Sequence, residues 1–227
     1  MRYLANAFIC LCFLFPAIPA QSQSPGALES DPKGWINLLA DKTLKEWVRG
    51  PLGQAGQLRP GEMSDPSPWR LDPSGEILLC EGEKVGHEWL RYGPELGNFA
   101  AHVEWRFVPV EGDARYNSGV FARTSADGKI WHQAQAGASG GYLFAATLVN
   151  GTVQRVNLRE KMTENRVKPA GEWNTYELRA VGKQITLWVN GATTSEFTEC
   201  EVPRGYFGVE AEGFRVEFRN IRLKLLP

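Results

Sequence analysis

The chain has 227 residues, with 25 basic and 26 acidic side chains, three histidines and four cysteines. A formal charge of −1 at pH 7 gives no bulk attraction for nucleic acid, and three histidines exclude a His-rich metal cage. The length suffices for one core and lies within the single-domain range of all-β folds.

Residues 1–20 read as an export signal: Arg2 is the positive start, Ala7 to Phe15 is apolar, and Pro16 to Ala20 is a small-residue cleavage region. The apolar run is shorter than the about 20 residues that span a bilayer, so no stable membrane span is expected. The alternative is a retained anchor. The expected location is the periplasm or the extracellular space. Cleavage removes Cys10 and Cys12 and leaves Cys80 and Cys200. These two form either a disulfide or two buried thiols.

Residues 21–33 read as a polar linker and residues 34–227 as a single β-sandwich domain. Order begins at Gly34-Trp35-Ile36-Asn37-Leu38-Leu39. Asp41 to Trp47 is predicted as one helical turn capped by Asp41. Arg49 to Pro68, dense in Gly and Pro, is predicted as a long loop. Predicted strands follow at Glu76–Glu81, His87–Tyr92, Phe99–Val108, Ser118–Thr124, Ile130–Ala136, Tyr142–Leu148, Thr152–Leu158, Asn174–Val181, Gln184–Val189, Tyr206–Glu212 and Phe214–Leu225. Short strands bounded by turn residues predict an all-β sandwich. Asn150-Gly151 and Asn190-Gly191 predict tight hairpins, because both central residues of a type I′ turn need positive φ. Gly182-Lys183 predicts another. In the last strand the apolar alternation breaks between Phe218 and Ile221, which predicts a bulge near Arg219-Asn220.

No phosphate loop, dinucleotide fingerprint, His-Glu-x-x-His or nucleophile elbow occurs. Three polar stretches remain. Strand parity puts His102, Glu104 and Arg106 on one face and Val103, Trp105 and Phe107 on the other. Asn117 and Arg123 share a parity on the next strand. Trp131-His132-Gln133-Ala134-Gln135, leading to Tyr142, mixes an indole, an imidazole and two amides, a combination that suits a sugar. Glu210 and Glu212 share a face and suit acid–base work or a cation. Together these groups predict a polar hollow in which Arg106, Arg123, His132 and Glu212 converge.

Glu104-Trp105-Arg106, Asn117 to Arg123, Gly171 to Tyr176, Trp188-Val189-Asn190-Gly191 and Phe218-Arg219-Asn220-Ile221 occur in this order. Together the chain from Gly34 to Leu226 resembles the 3-keto-disaccharide hydrolase family, also described as 3-keto-glucoside 1,2-lyase/3-keto-2-hydroxyglucal hydratase. The resemblance implies a concanavalin-like jelly-roll sandwich of two antiparallel sheets and an exported protein acting on oxidised sugars or glycosides. Many members carry Glu where this chain has Gln133.

The implied chemistry is removal of the C2 hydrogen of a 3-keto-glucoside, expulsion of the C1 substituent, and hydration of the resulting glucal. His132 is the expected base, with Arg123 and Arg106 as enolate stabilisers. Glu212 is the expected acid, with Glu104 second. Glu104, Asn117, Trp131, Gln133, Gln135, Tyr142 and Glu210 are expected to bind substrate. No cofactor is assigned. A divalent metal held by Glu210, Glu212 and His132 is the alternative to the arginine clamp, and a non-catalytic carbohydrate-binding module is the alternative to an enzyme.

Overall fold

A computed structural model describes residues 23–52, 63, 65–82, 87–112 and 115–227; the expected export signal lies outside them. No helix among the described residues is long and apolar enough to cross a membrane. Two antiparallel sheets face each other. The first runs in the order β13 (Ala192–Phe197), β12 (Gln184–Val189), β11 (Asn174–Val181), β6 (Phe99–Phe107), β15 (Arg215–Leu225), β4 (Ile77–Glu81) and β3 (Trp69–Leu71), with β1 (Ile36–Asn37) also on β15. The second runs in the order β10 (Thr152–Asn157), β9 (Leu143–Val149), β8 (Trp131–Ala136), β7 (Ser118–Thr124), β14 (Tyr206–Ala211), β5 (Glu88–Tyr92) and β2 (Trp47–Pro51). This is the sandwich that the alternating strands predict.

The core lies between the sheets. The first sheet contributes large side chains, among them Trp105, Tyr176, Phe99, Phe218, Leu178 and Leu187; the second answers with Val120, Ala122, Ala134, Ala136, Phe207, Val209 and Ala211. Bulk on one sheet opposite alanines on the other lets the two layers interdigitate. Trp105 meets Tyr176 edge to face at 5.2 Å, an arrangement that adds to simple area burial. The second sheet also buries an apolar cluster on its outer face: Leu52, Trp89, Phe121, Trp131 and Ala146.

The hairpin signals hold. Asn150 and Gly151 have φ of 52° and 73°, and Asn190 and Gly191 have 43° and 110°. The predicted bulge in β15 is present. Arg219 pairs with Glu104 but Arg222 pairs with His102, and Asn220 between them is left-handed at φ 47°.

Other expectations fail. Asp41 to Trp47 forms turns and not a helix; Asp41 accepts from the Thr43 backbone N–H and hydroxyl, an Asx-turn that competes with helix formation. The predicted loop from Arg49 begins inside β2, which pairs with β5. β13 was not predicted, because Ala192 to Ser195 lacks the large apolar residues whose alternation marks a half-buried strand. Within the expected linker, Ala27–Ser30 forms one helical turn, α1, whose Ala27 and Leu28 N–H groups donate to the Glu177 carboxylate. Of the two readings of Cys80 and Cys200, the structure shows the separate buried thiols.

Candidate functional site

Pleating decides which side chains reach the outer face of the second sheet. In β8, His132, Ala134 and Ala136 point into the sandwich, so Trp131, Gln133 and Gln135 point out. In β14, Phe207, Val209 and Ala211 fill the core, so Glu210 points out with them; Glu212 follows on the same side. In β7, Gly119 and Phe121 face outward. Gly119 is required there, since a methyl group at that position would collide with the Gln133 amide. β14 pairs Glu210 with Trp89 and Ala211 with Glu88; continuing that register brings His87, just before β5, opposite Glu212.

These positions enclose a cleft of about 300 Å³ lined by Leu52, His87, Asn117, Phe121, Trp131, Gln133, Gln135, Phe144, Arg155, Glu210 and Glu212. One end is a hydrogen-bonded cluster. His87 Nε2 lies 2.5 Å from Glu210 Oε1 and 3.6 Å from Glu212 Oε2. Gln133 Nε2 donates to Glu210 Oε2 at 2.5 Å. Asn117 Nδ2 donates to Glu212 Oε2 at 2.6 Å, and Gln135 Nε2 donates to Asn117 Oδ1 at 2.5 Å. The two amides of β8 thus hold the Glu210 and Glu212 carboxylates, one directly and one through Asn117. The floor is aromatic: Trp131 sits edge-on to Phe144 at 5.0 Å and to Phe121 at 6.2 Å.

Electrostatics set these groups apart. Burial works to lower the His87 pKa, but the hydrogen bond that the ring donates to Glu210 and the charges of Glu210 and Glu212 outweigh it, so the imidazole keeps its proton above its ordinary range. Burial and the neighbouring Glu210 charge raise the Glu212 pKa, against the opposing effects of His87 and Asn117. A carboxyl raised and an imidazole raised, in contact, is the arrangement from which proton transfer is built.

The same three side chains are the one cluster among the described residues with metal-ligand geometry: an imidazole and two carboxylates with ligand atoms within 4.8 Å of one another. His87 Nδ1 is buried without a hydrogen-bond partner among the described residues. That donor set fits a divalent cation.

The expected convergence does not occur. Asn117, Trp131, Gln133, Gln135, Glu210 and Glu212 line the cleft, while Arg106, Arg123, His132, Glu104 and Tyr142 do not. His132 is turned into the sandwich, where its Nδ1 lies 3.1 Å from Ala122 O and its Nε2 lies 2.8 Å from Thr147 Oγ1. Burial foremost, aided by the Arg123 charge, holds its pKa down to about 4. It is neither the base nor a ligand beside Glu210. Arg123 sits where β7 and β14 slip register, at φ 48°. The bulge rotates its side chain away from the face it shares by count with Asn117, and the guanidinium donates to the carbonyls of Gly97, Gly182 and Val202 and to Asn98 Oδ1. Arg106 and Glu104 lie on the outer face of the other sheet. Arg106 bonds Glu217 at 2.8 Å, and Glu104 accepts from Arg219 at 2.7 Å and Asn220 at 2.9 Å. Tyr142 is buried, and its carbonyl accepts from the Gln135 N–H of β8.

The cleft residues absent from the sequence expectations are His87 and Arg155 among the polar ones and Leu52, Phe121 and Phe144 among the apolar ones. The signal for His87 was its parity with Trp89, opposite Glu210 and Glu212, which becomes visible only once β5 is paired with β14. A larger groove of about 400 Å³ lies on the opposite sheet, lined by Lys42, Arg219, Asn220 and Arg222 among others. It has neither imidazole nor aromatic floor, and its Arg219 and Arg222 are already bonded to Glu104 and Asn220.

The family model of the 3-keto-alpha-glucoside-1,2-lyase-like domain matches residues 34–224. No curated protein sequence matches the chain. Among solved structures, a candidate glycosyl hydrolase of Parabacteroides distasonis ATCC 8503 is similar with TM-score 0.61 at 15% identity, over 91% of this chain and 100% of that one. The carbohydrate-binding module CBM66 of Bacillus subtilis gives TM-score 0.55 at 12% identity, over 79% of this chain and 95% of that one. The beta-glucanase of Bacillus licheniformis gives 0.51 at 14%, over 86% and 99%. At such identities these likenesses show the sandwich fold and no more. The sequence match is of another order: it covers the whole sandwich, and on it the chain belongs to the carbohydrate-active 3-keto-alpha-glucoside-1,2-lyase-like domain family.

Proposed function

We propose that the cleft cleaves 3-keto-glucosides by abstracting the C2 proton and eliminating the C1 substituent, with water then adding to the glucal, in the periplasm or outside the cell. The observation that carries this reading is the convergence of His87, Glu210 and Glu212 at one end of an amide-lined, aromatic-floored cleft. A sugar ring laid against Phe121 and the adjoining edge of Trp131, beside the carboxylates, turns its hydroxyls toward Gln133, Gln135 and Asn117.

Glu212 is the proton-transfer group in this scheme. Its raised pKa makes it a stronger base than an ordinary carboxylate, and its Oε2 is oriented by Asn117. It takes the C2 proton and delivers it to the departing C1 oxygen. Protonated His87, backed by Glu210, faces the negative charge that grows on the enolate oxygen, the role first expected of the arginines. His87, Glu210 and Glu212 are also the residues that would hold a divalent cation, which would supply Lewis-acid polarisation of the ketone.

Incubation with 3-keto-trehalose or a 3-keto-glucoside, with and without chelator, tests the activity. Release of the C1 substituent is expected, and loss of it on chelation would assign the enolate clamp to a metal. Unchanged turnover in Glu212→Gln would remove Glu212 from the scheme. A second reading, a carbohydrate-binding module, is favoured by Gln133, an amide where many family members carry Glu. Saturable binding without product would establish it.

A further inference from the structure

The cleft has a second pole that the elimination does not use. Arg155 lies on the edge strand β10, and its partner Ala146 in β9 is in turn opposite Trp131 in β8. Its guanidinium carbon stands 5.3 Å from the Phe144 ring centre and 5.7 Å from that of Trp131. The group is therefore drawn in over the aromatic floor by cation–π attraction. It lines the cleft, yet among the described residues it makes no hydrogen bond and no ion pair. On the outer face of the other sheet, by contrast, Arg106 is engaged by Glu217 and Arg219 by Glu104. A planar fork of N–H donors, held over rings and facing an open cleft, matches the two oxygens of a carboxylate.

Position fixes where on a ligand that carboxylate belongs. The guanidinium stands above β8 and β9, and Glu210 is on β14, two strands beyond β8. Two strand spacings are about 10 Å, more than one pyranose ring covers. A ring whose C2 lies at Glu212 leaves Arg155 to the next unit along.

We propose that Arg155 forms a carboxylate-binding subsite for the leaving unit, so that the preferred substrates are 3-keto-glycosides whose second unit is a uronic acid or another carboxylate-bearing group. The proposal rests on the elimination reading for the word substrate, but not for the subsite itself.

Two 3-keto-glucosides of the same linkage, one ending in glucose and one in glucuronate, are compared by kcat/KM at low salt. The full chain is expected to favour the glucuronate by about tenfold, the scale of one charge-assisted hydrogen bond. That ratio should fall to about one in Arg155→Gln and invert in Arg155→Glu. A ratio near one in the native chain, or a ratio unchanged in Arg155→Gln, overturns the proposal. If neither compound is cleaved, the elimination reading fails alone. Calorimetric titration of the same two compounds then decides the subsite: about tenfold tighter binding of the uronate, lost in Arg155→Gln, supports it, and equal affinities or no uronate binding overturn it.

Discussion

Glu212 and His87 have raised pKa values for different reasons, and the two reasons predict the pH profile. Glu212 must be ionised to accept a proton; burial and Glu210 move that ionisation above the usual carboxylate range. His87 must be protonated to face the enolate; Glu210 extends that state above the usual histidine range. The profile of kcat/KM should be a bell with both limbs displaced upward. Glu212→Gln should lower kcat/KM by about 10² to 10⁴ and remove the acid limb, and His87→Gln should remove the alkaline limb. Limbs that remain in both variants would contradict the assignment. His132, turned inward, affects stability instead. Its folded pKa of about 4 lies below the ordinary 6.5, so the unfolded chain binds its proton first as pH falls. His132 costs nothing above pH 6.5, and stability drains as pH drops from 6.5 toward 4, by about 3 kcal/mol in all. His87 and His102, both raised, titrate above that window. The unfolding free energy lost between pH 7 and pH 4, read from urea denaturation, should be greater in wild type than in His132→Asn by about that amount; parallel behaviour would refute it.

Two bulges do more than relieve a register. At Arg123 the β7 bulge swings a guanidinium from the cleft face to the loops at the sandwich end, where it collects three backbone carbonyls and Asn98. Arg123→Ala strands the buried Val202 carbonyl and loses three part-buried bonds, and should cost about 1–3 kcal/mol in urea denaturation. A loss below about 1 kcal/mol would mean that water replaces the side chain. At Asn220 the β15 bulge needs a left-handed residue, and the asparagine also bonds His102, Glu104 and Arg222. Asn220→Gly keeps the backbone and loses the bonds; Asn220→Val loses both. The valine variant should be the less stable by about 1–2 kcal/mol, and equal stabilities would show that the backbone conformation carries no cost there.

The two sheets divide the work. The first supplies bulk to the core and, on its outside, a lattice of charge pairs: Arg106 with Glu217, Arg219 with Glu104, and His102 between Glu104 and Glu177. The second supplies small core residues and carries the cleft. Trp105 lies in the core between the layers, 1% exposed and packed against Phe107 and Tyr176 of its own sheet. Trp105→Ala should cost about 3–5 kcal/mol, read from thermal or urea unfolding. A cost near 1 kcal/mol would mean that the sheets close over the gap.

Alternation of apolar residues, the Asn-Gly turns and the break between Phe218 and Ile221 determined the sandwich and one of its bulges, because each is a local consequence of strand geometry. The face of Gln133, Gln135 and Glu210 was legible for the same reason. The partners were not. Whether Arg106 and Glu212 share a surface depends on which sheet each strand joins, Arg123 was displaced by a bulge that its own sequence does not announce, and His87 acquires meaning only beside β14. Antiparallel pairing between segments far apart in the chain decided those matters, and no local pattern encodes it.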